Sequence, residues 1–265
     1  MWARRSHVYI SSYALSPPCM PDAETPPQSC HIVGRGRMGT ALASALRDAG
    51  VIVTGPLGRG ESAENAELVL LCVPEREIGA ASAALTGGAI VGHVSASAPL
   101  DLLAPHERFS LHPLLSVTGA GANFAGASCA IDGSTERALR CARGLADRLG
   151  MSVIRIPPEQ RALYHAAASI ASNFLITVEG AAERIASLAG LERAALVPLV
   201  RASVENWALQ GARAALTGPI ARGDLATATR QRDAVADAAP DLVPLWDALA
   251  SATRALASAP ATDAA

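Results

Sequence analysis

No lysine occurs among the 265 residues; all 22 basic side chains are arginine. Any mechanism that needs a lysine acid, base or Schiff base is thereby excluded. Aromatic residues make up only 3% of the chain, so its core must be built from aliphatic side chains and alanine. No apolar run reaches the roughly 18 residues that a membrane span requires. The net charge of -2 offers no basic surface to nucleic acid or to an anionic membrane. The five cysteines (Cys19, Cys30, Cys72, Cys129 and Cys141) are odd in number and scattered. They predict no disulfide framework and a reducing, cytoplasmic setting. No HxxxH pair or Cys/His cluster appears, so no metal site is expected.

What is present is a folded chain: half the residues are hydrophobic and 17% are charged, outside the range of disordered sequences. Residues 1–28 read as a flexible tail, with Met20 as an alternative start. Arg4-Arg5 suggests an export signal, but the following "VYISSYAL" is short, interrupted by serines and lacks a small-residue cleavage site. From Cys30 the pattern changes. "CHIVG", "VIVTG", "ELVLLCVP", "AIVGHVSAS", "FSLHPL", "SCAID" and "MSVIRI" are apolar runs of strand length. They alternate with helix patterns at "MGTALASALRDAG", "EREIGAASAAL" and "TERALRCARGLADRLG". Continuous apolar runs fit strands buried on both faces. The alternation predicts a doubly wound α/β domain of the Rossmann type over 29–157. Strand signals stop after "IPPEQ". Residues 158–258 favour helix and predict an all-α C-terminal domain, followed by a disordered tail at 259–265.

The first strand runs into "IVGRGRMGTAL", where Gly34, Gly36 and Gly39 have G-x-G-x-x-G spacing. In a dinucleotide site the first glycine allows the tight turn and the second lets pyrophosphate approach the backbone. The third lets the helix pack on the strand. The phosphates then meet the free N–H groups of a helix N-terminus. Alone the motif is weak, but here it follows a strand, opens a helix and begins a β-α-β pattern. Arg35, Arg37 and Met38 belong to the same turn. An acidic residue for the adenosine ribose is expected about 20 residues on. The second strand instead leads to "TGPLGRGE", with Arg59 there and no acid before Glu61. A guanidinium binds a 2′-phosphate that a carboxylate would repel, so NADP(H) is expected in preference to NAD(H). Strand ends in such sheets point into the ligand crevice, which puts Val73, Pro74, Ser95 and Ser97 near the nicotinamide.

The stretch "LYHAAASIASNF" sets polar residues into a background of small apolar ones. Helical spacing of 100° puts His165, Ser169 and Ser172 on one stripe with Asn173 at its edge. One reading is a solvent-facing stripe; the other is a cleft wall, since the stripe carries short side chains and no formal charge. Each polar group buried there without a partner would cost roughly 1–3 kcal/mol, which implies a partner or ligand.

"IVGRGRMG", "VLLCVP", "HVSAS", "SLHPL", "ALYHAAASIASN" and "LTGPIARGD" together resemble a bacterial family assigned as oxidoreductases. That family joins a Rossmann-like domain to a helical domain of uncharacterised function. More distantly the chain resembles the 6-phosphogluconate-dehydrogenase-like enzymes, among them ketopantoate, pyrroline-5-carboxylate and prephenate enzymes. The resemblance implies a small-molecule substrate held between the two domains and a homodimer formed through the helical one. It also exposes a departure. The β-hydroxyacid and ketopantoate enzymes carry a lysine four residues before the asparagine that Asn173 matches, and here that position is Ser169.

Two histidines are candidates for the missing acid: His165 on the helix, and His112 in "SLHPL", which resembles a His-Pro pair of prephenate dehydrogenases. Either imidazole titrates in the range useful for proton transfer. Resemblance to pyrroline-5-carboxylate reductases implies substrate contacts from Thr217, Gly218 and Arg222 in "LTGPIARGD", although the same loop reads equally as a helix corner. Ser97, Ser169 and Ser172 complete the expected substrate contacts. These features imply an NADP(H)-dependent oxidoreductase reducing the C=O or C=N of a small carboxylate-bearing substrate. The alternative is an NADP(H)-binding scaffold or redox sensor that does not turn over.

Overall fold

The computed structural model describes residues 28–259 except 62, 64, 65 and 120. The expected N-terminal tail up to residue 27, with Cys19 and Met20, and the C-terminal residues 260–265 lie outside the described residues. Chain contacts divide the protein into two compact units that meet in sequence between His165 and Ala166.

The first unit is built on a seven-stranded sheet of order β2-β1-β3-β4-β5-β6-β7. Its strands are β1 (Ser29–Val33), β2 (Ile52–Leu57), β3 (Leu68–Leu71), β4 (Ile90–His93), β5 (Arg108–Pro113), β6 (Ser128–Gly133) and β7 (Ser152–Ile154). Helices α1 (Arg37–Asp48), α2 (Ile78–Ala83) and α3 (Glu136–Arg148) flank it. All seven predicted strands form. Strand β2 runs on through Pro56 to Leu57, beyond the Gly-Pro where the sequence suggested a stop. It is an edge strand, where a missing N–H costs no ladder bond, and the β1–β2 register shifts between His31 and Val33. The sheet is parallel from β2 through β5, but β6 pairs antiparallel with β5, and β7 is parallel to β6.

Alternation along β3 shows why the apolar runs are continuous. Leu68 and Leu70 belong to one core cluster, with α1 and α3 residues such as Leu42, Leu46 and Leu145. Val69 and Leu71 join a second cluster with Ile78 and Val91. Both faces are covered, so every β3 side chain is apolar. Cys30, Cys72 and Cys129 are buried core thiols, and burial pushes the Cys30 and Cys129 thiols up to about 12. The fully buried Phe109 ring lies against Gly92 of β4, where a Cβ would come within 2.2 Å of it.

The second unit is helical. The helix that starts as α4 (Arg161–Ser169) passes through a π-helical turn at Ile170–Phe174 into α5 (Leu175–Leu188). There follow α6 (Arg193–Gln210), α7 (Ala212–Ala215), α8 (Leu225–Ala238) and α9 (Val243–Ser258). Bidentate pairs Arg184–Asp241 and Arg232–Asp247 tie its surface. Its buried residues are small, among them Ala186, Val235 and Ala250, whereas Phe174, Ile176, Leu199, Trp207 and Leu209 are exposed. Among the described residues no helix is long and apolar enough to cross a membrane.

In a chain with few aromatics, the Phe109 ring should carry an outsized share of the sheet's packing. Phe109→Ala is expected to cost about 3–5 kcal/mol, read from urea unfolding. A loss below 1 kcal/mol would show that β4 and β5 do not depend on this contact.

Candidate functional site

In parallel sheets the crevice opens beyond the C-terminal strand ends, where the chain order reverses; here that is between β1 and β3. Gly34 follows β1 at φ +119°, and a Cβ there would fall 2.3 Å from the Cys72 carbonyl oxygen. A Cβ on Gly39 would fall 1.9 Å from the Gly34 oxygen. Gly36 caps α1 in extended backbone, without a side-chain cap, and a Cβ there would meet nothing within 4 Å. The turn is thus closed by sterics on both flanks and open at its centre. Gly36 faces a cavity of about 820 Å³, lined also by Leu57, Arg59, Val73, Pro74 and Ala81. This arrangement fits a dinucleotide's pyrophosphate at the N-terminus of α1.

Arginines and carboxylates share the mouth of that cavity. Arg35 donates to the Pro56 carbonyl and pairs with Glu61. The Glu61 carboxyl lies below its usual range, mainly because it accepts the Gly58 N–H at 2.7 Å. Arg59 is 88% exposed and pairs with Glu77 at 3.0 Å. Both arginines line the cavity, and both are engaged by an acid. Arg37 is exposed on α1, whereas Met38 packs against the core.

Further along the same sheet edge, the ends of β3, β4 and β5 carry a polar cluster. Glu75 opens a 3-10 turn just after Val73-Pro74, and its Oε2 accepts both the Ser95 hydroxyl at 2.6 Å and the Ser97 hydroxyl at 2.7 Å. These bonds, Ser95 first, hold its carboxyl below the usual range. Ser95 Oγ in turn accepts the Ser97 and Ala98 N–H groups. His93, at the end of β4, is fully buried; its Nδ1 accepts the Ser95 N–H and its Nε2 has no partner. Burial, reinforced by the charge of Arg161, pulls His93 down to about 4.

His112, on β5, meets Tyr164 with Nδ1 2.7 Å from the hydroxyl and the rings edge to face. Burial, then the charges of His165 and Arg161, lowers His112 to about 4. Burial raises Tyr164 to about 12. Arg161 sits one turn before Tyr164 and His165. It donates to Asp132 at 3.0 Å and to Ser110 at 3.3 Å, with 14% of its side chain exposed. That partly buried pair fixes the start of α4 over the sheet, which is how Tyr164 and His165 come to the β3–β5 edge. His165 itself is exposed, close enough to act on both Glu75 and His112.

The structure therefore gathers His112, His165, Ser95 and Ser97 and adds Tyr164, Arg161, His93 and Glu75. The sequence signal for Glu75 was its place one residue past a strand-end Val-Pro. Nothing local marks His93, whose role follows from burial.

The remaining expected residues belong to the helical unit. The uninterrupted 100° stripe does not survive there: the π turn, which spans Ser172 and Asn173, widens the spacing. Ser172 donates to the Ala168 carbonyl at 2.7 Å, a back-bond that competes with the helical ladder. Ser169 is half-buried and Asn173 exposed. In the Thr217–Asp224 loop Gly218 has φ +98°. Asp224 caps α8 by accepting the Thr227 N–H, and exposed Arg222 exerts only a weak pull on it. Among the described residues no group of three or more His, Cys, Asp or Glu side chains is arranged to hold a metal ion.

Residues 127–253 match a family model described as a domain of unknown function, DUF2520. No curated protein matches the chain. Solved structures do. A Bacteroides fragilis protein provisionally assigned as an NADP oxidoreductase is 19% identical at a TM-score of 0.75, covering 86% of this chain and 98% of its own. A Thermotoga maritima protein is 24% identical at 0.67, with coverages of 86% and 98%. A reductive aminase of Aspergillus terreus, in complex with NADPH, is 16% identical at 0.64, with 88% and 98%. At these identities the likeness establishes the fold.

The two depressed histidines make stability depend on pH in a defined window. Between about pH 6.5 and 4 the unfolded chain takes up protons that native His93 and His112 refuse, so native stability should fall as pH falls through that window. Urea midpoints at pH 7, 5.5 and 4.5 should decline less steeply in His93→Gln and His112→Gln than in the parent. Equal slopes would place these imidazoles in contact with water.

Proposed function

We propose, for a chain that carries a DUF2520 domain and a Rossmann-type fold, that it is an NADP(H)-dependent oxidoreductase. It reduces the C=O or C=N of a small carboxylate-bearing substrate. The observation that carries this reading is the glycine turn, in which Gly34 and Gly39 are required by close contacts and Gly36 by none. A glycine whose backbone faces open cavity lets a ligand approach that backbone closely. Arg35 and Arg59 would hold the 2′-phosphate once Glu61 and Glu77 release them. Val73, Pro74 and Ser95 would flank the nicotinamide. When bound, the cofactor supplies a hydride.

The chain's own residues then handle the proton. His112 is neutral at physiological pH, so it serves as a relay. In the tautomer that carries a proton on Nε2, it donates from Nε2 while Nδ1 takes the Tyr164 hydroxyl proton. Burial raises the cost of the charge left on Tyr164, and the field of Arg161 offsets part of it. His165 is the other candidate donor, exposed beside Glu75. Asn173 is assigned the orienting amide, and Ser97, Ser169, Ser172, Thr217, Gly218 and Arg222 the remaining substrate contacts. The exposed Phe174, Trp207 and Leu209 of the helical unit support a homodimer. The absence of lysine favours a second reading, a binding scaffold without turnover; the His112–Tyr164 pair and Glu75 weigh against it, since a scaffold needs neither.

Calorimetric titration with NADPH, NADH and NADP⁺ tests the cofactor assignment. NADPH should bind more tightly than NADH, and Arg59→Ala should weaken NADPH selectively by about tenfold, the worth of one charge-assisted contact. Gly36→Val should cost only about 1 kcal/mol of stability, the scale of a poorer N-cap residue, while abolishing tight dinucleotide binding. Failure of every dinucleotide to bind the parent would overturn the reading.

A further inference from the structure

Three titratable groups at the β3–β5 edge carry no charge at physiological pH, and a carboxylate beside them does. His93 and His112 are neutral at physiological pH and Tyr164 keeps its proton. Arg161 is matched by Asp132 at 3.0 Å. Glu75 remains, an exposed carboxylate fixed in place rather than swinging on its side chain. Both serine hydroxyls donate to the same oxygen, Oε2, so Oε1 is left unclaimed by either. The loop is shaped around this anchor, since Ser95 Oγ also gathers the Ser97 and Ala98 N–H groups. A purely structural link would be as well served by a neutral amide. A full charge held one residue beyond Val73-Pro74, with no lysine anywhere to balance it, has another use.

We propose that Glu75 is a substrate-binding residue and that the site accepts its substrate as a cation, an iminium, in preference to a neutral ketone. The inference rests on the oxidoreductase reading above. Carboxylate Oε1 attracts the positive C=N⁺ nitrogen and orients its carbon. Hydride from the reduced dinucleotide forms the new C–H bond, and the C=N π pair becomes the lone pair on nitrogen. The substrate goes from cation to neutral amine, the dinucleotide leaves oxidised, and the protein gives up no proton in that step. This resolves the lack of a lysine acid, because a substrate that arrives charged needs none. A neutral ketone would instead bring its developing alkoxide toward Glu75, where like charges repel.

The test uses the full chain with NADPH and two five-membered probes, the permanently cationic 1,2-dimethyl-1-pyrrolinium and neutral cyclopentanone. Pyrrolidinium binding to the NADP⁺-saturated protein, followed by calorimetry, gives a readout besides turnover. The parent should reduce the cation at least about 100-fold better in kcat/KM than the ketone. Glu75→Gln, which keeps an oxygen for both serines, should lower that ratio by about tenfold, the scale of one lost charge-assisted contact. It should also lose pyrrolidinium binding, with NADPH affinity unchanged. Ser95→Ala/Ser97→Ala, which frees the carboxylate but keeps its charge, should lose less and covers the case in which Glu75→Gln fails to fold. Equal use of both probes, an equal loss on both in Glu75→Gln, or NADPH binding with neither probe reduced or bound would each overturn the inference. A protein that binds no NADPH would instead overturn the cofactor reading on which it rests.

Discussion

The arrangement depends on a contact that only two missing methyl groups permit. Helix α1 begins so close to the end of β1 that Gly39 sits on the carbonyl of Gly34, and Gly34 sits on that of Cys72. Any side chain at either position would push the helix off the sheet. With the helix seated, its uncapped first turn opens on the crevice between β1 and β3. The cavity, the arginines at its mouth and the position of Val73-Pro74 follow from that seating. Gly36 takes no part in the packing, and the proposed dinucleotide site rests on that openness.

At the other end of the same sheet edge, burial sets the charges. A charged group taken out of water is costly unless it is paired. His93 and His112 avoid that cost by staying neutral, whereas Arg161 meets it by pairing with Asp132. The Arg161 pair has a further effect: it fixes the first turn of α4 and brings Tyr164 to His112. Glu75 escapes the constraint because it stays exposed and is stabilised by two hydroxyls. The result is an edge with many neutral donors and acceptors and one fixed negative charge.

Much of this was legible in the sequence. The seven strands announced themselves because strands covered on both faces must be apolar throughout, as β3 shows. The spacing of the glycines and their place between strand and helix indicated the turn. His112, His165 and the serines of "HVSAS" stand out in the sequence as candidates because strand ends and a polar helix are local features. The antiparallel reversal at β6 was not legible, since strand direction depends on the route of the connection and leaves no mark in a short apolar run. The π turn was hidden as well: the Ser172 back-bond to the Ala168 carbonyl competes with the helical ladder, and residue spacing does not reveal it. His93 and Glu75 gain their roles from partners 2 to 22 residues away, in neighbourhoods the fold alone creates.

In the proposed function the nicotinamide end of a bound dinucleotide lies at the β3–β5 edge, beside His112 and His165. Histidine ring NMR signals, followed while the protein is titrated first with adenosine 2′,5′-bisphosphate and then with NADP⁺, test it directly. The adenosine fragment should bind without moving the His112 and His165 signals, and NADP⁺ should shift both. Saturating NADP⁺ that leaves both signals in place would contradict it.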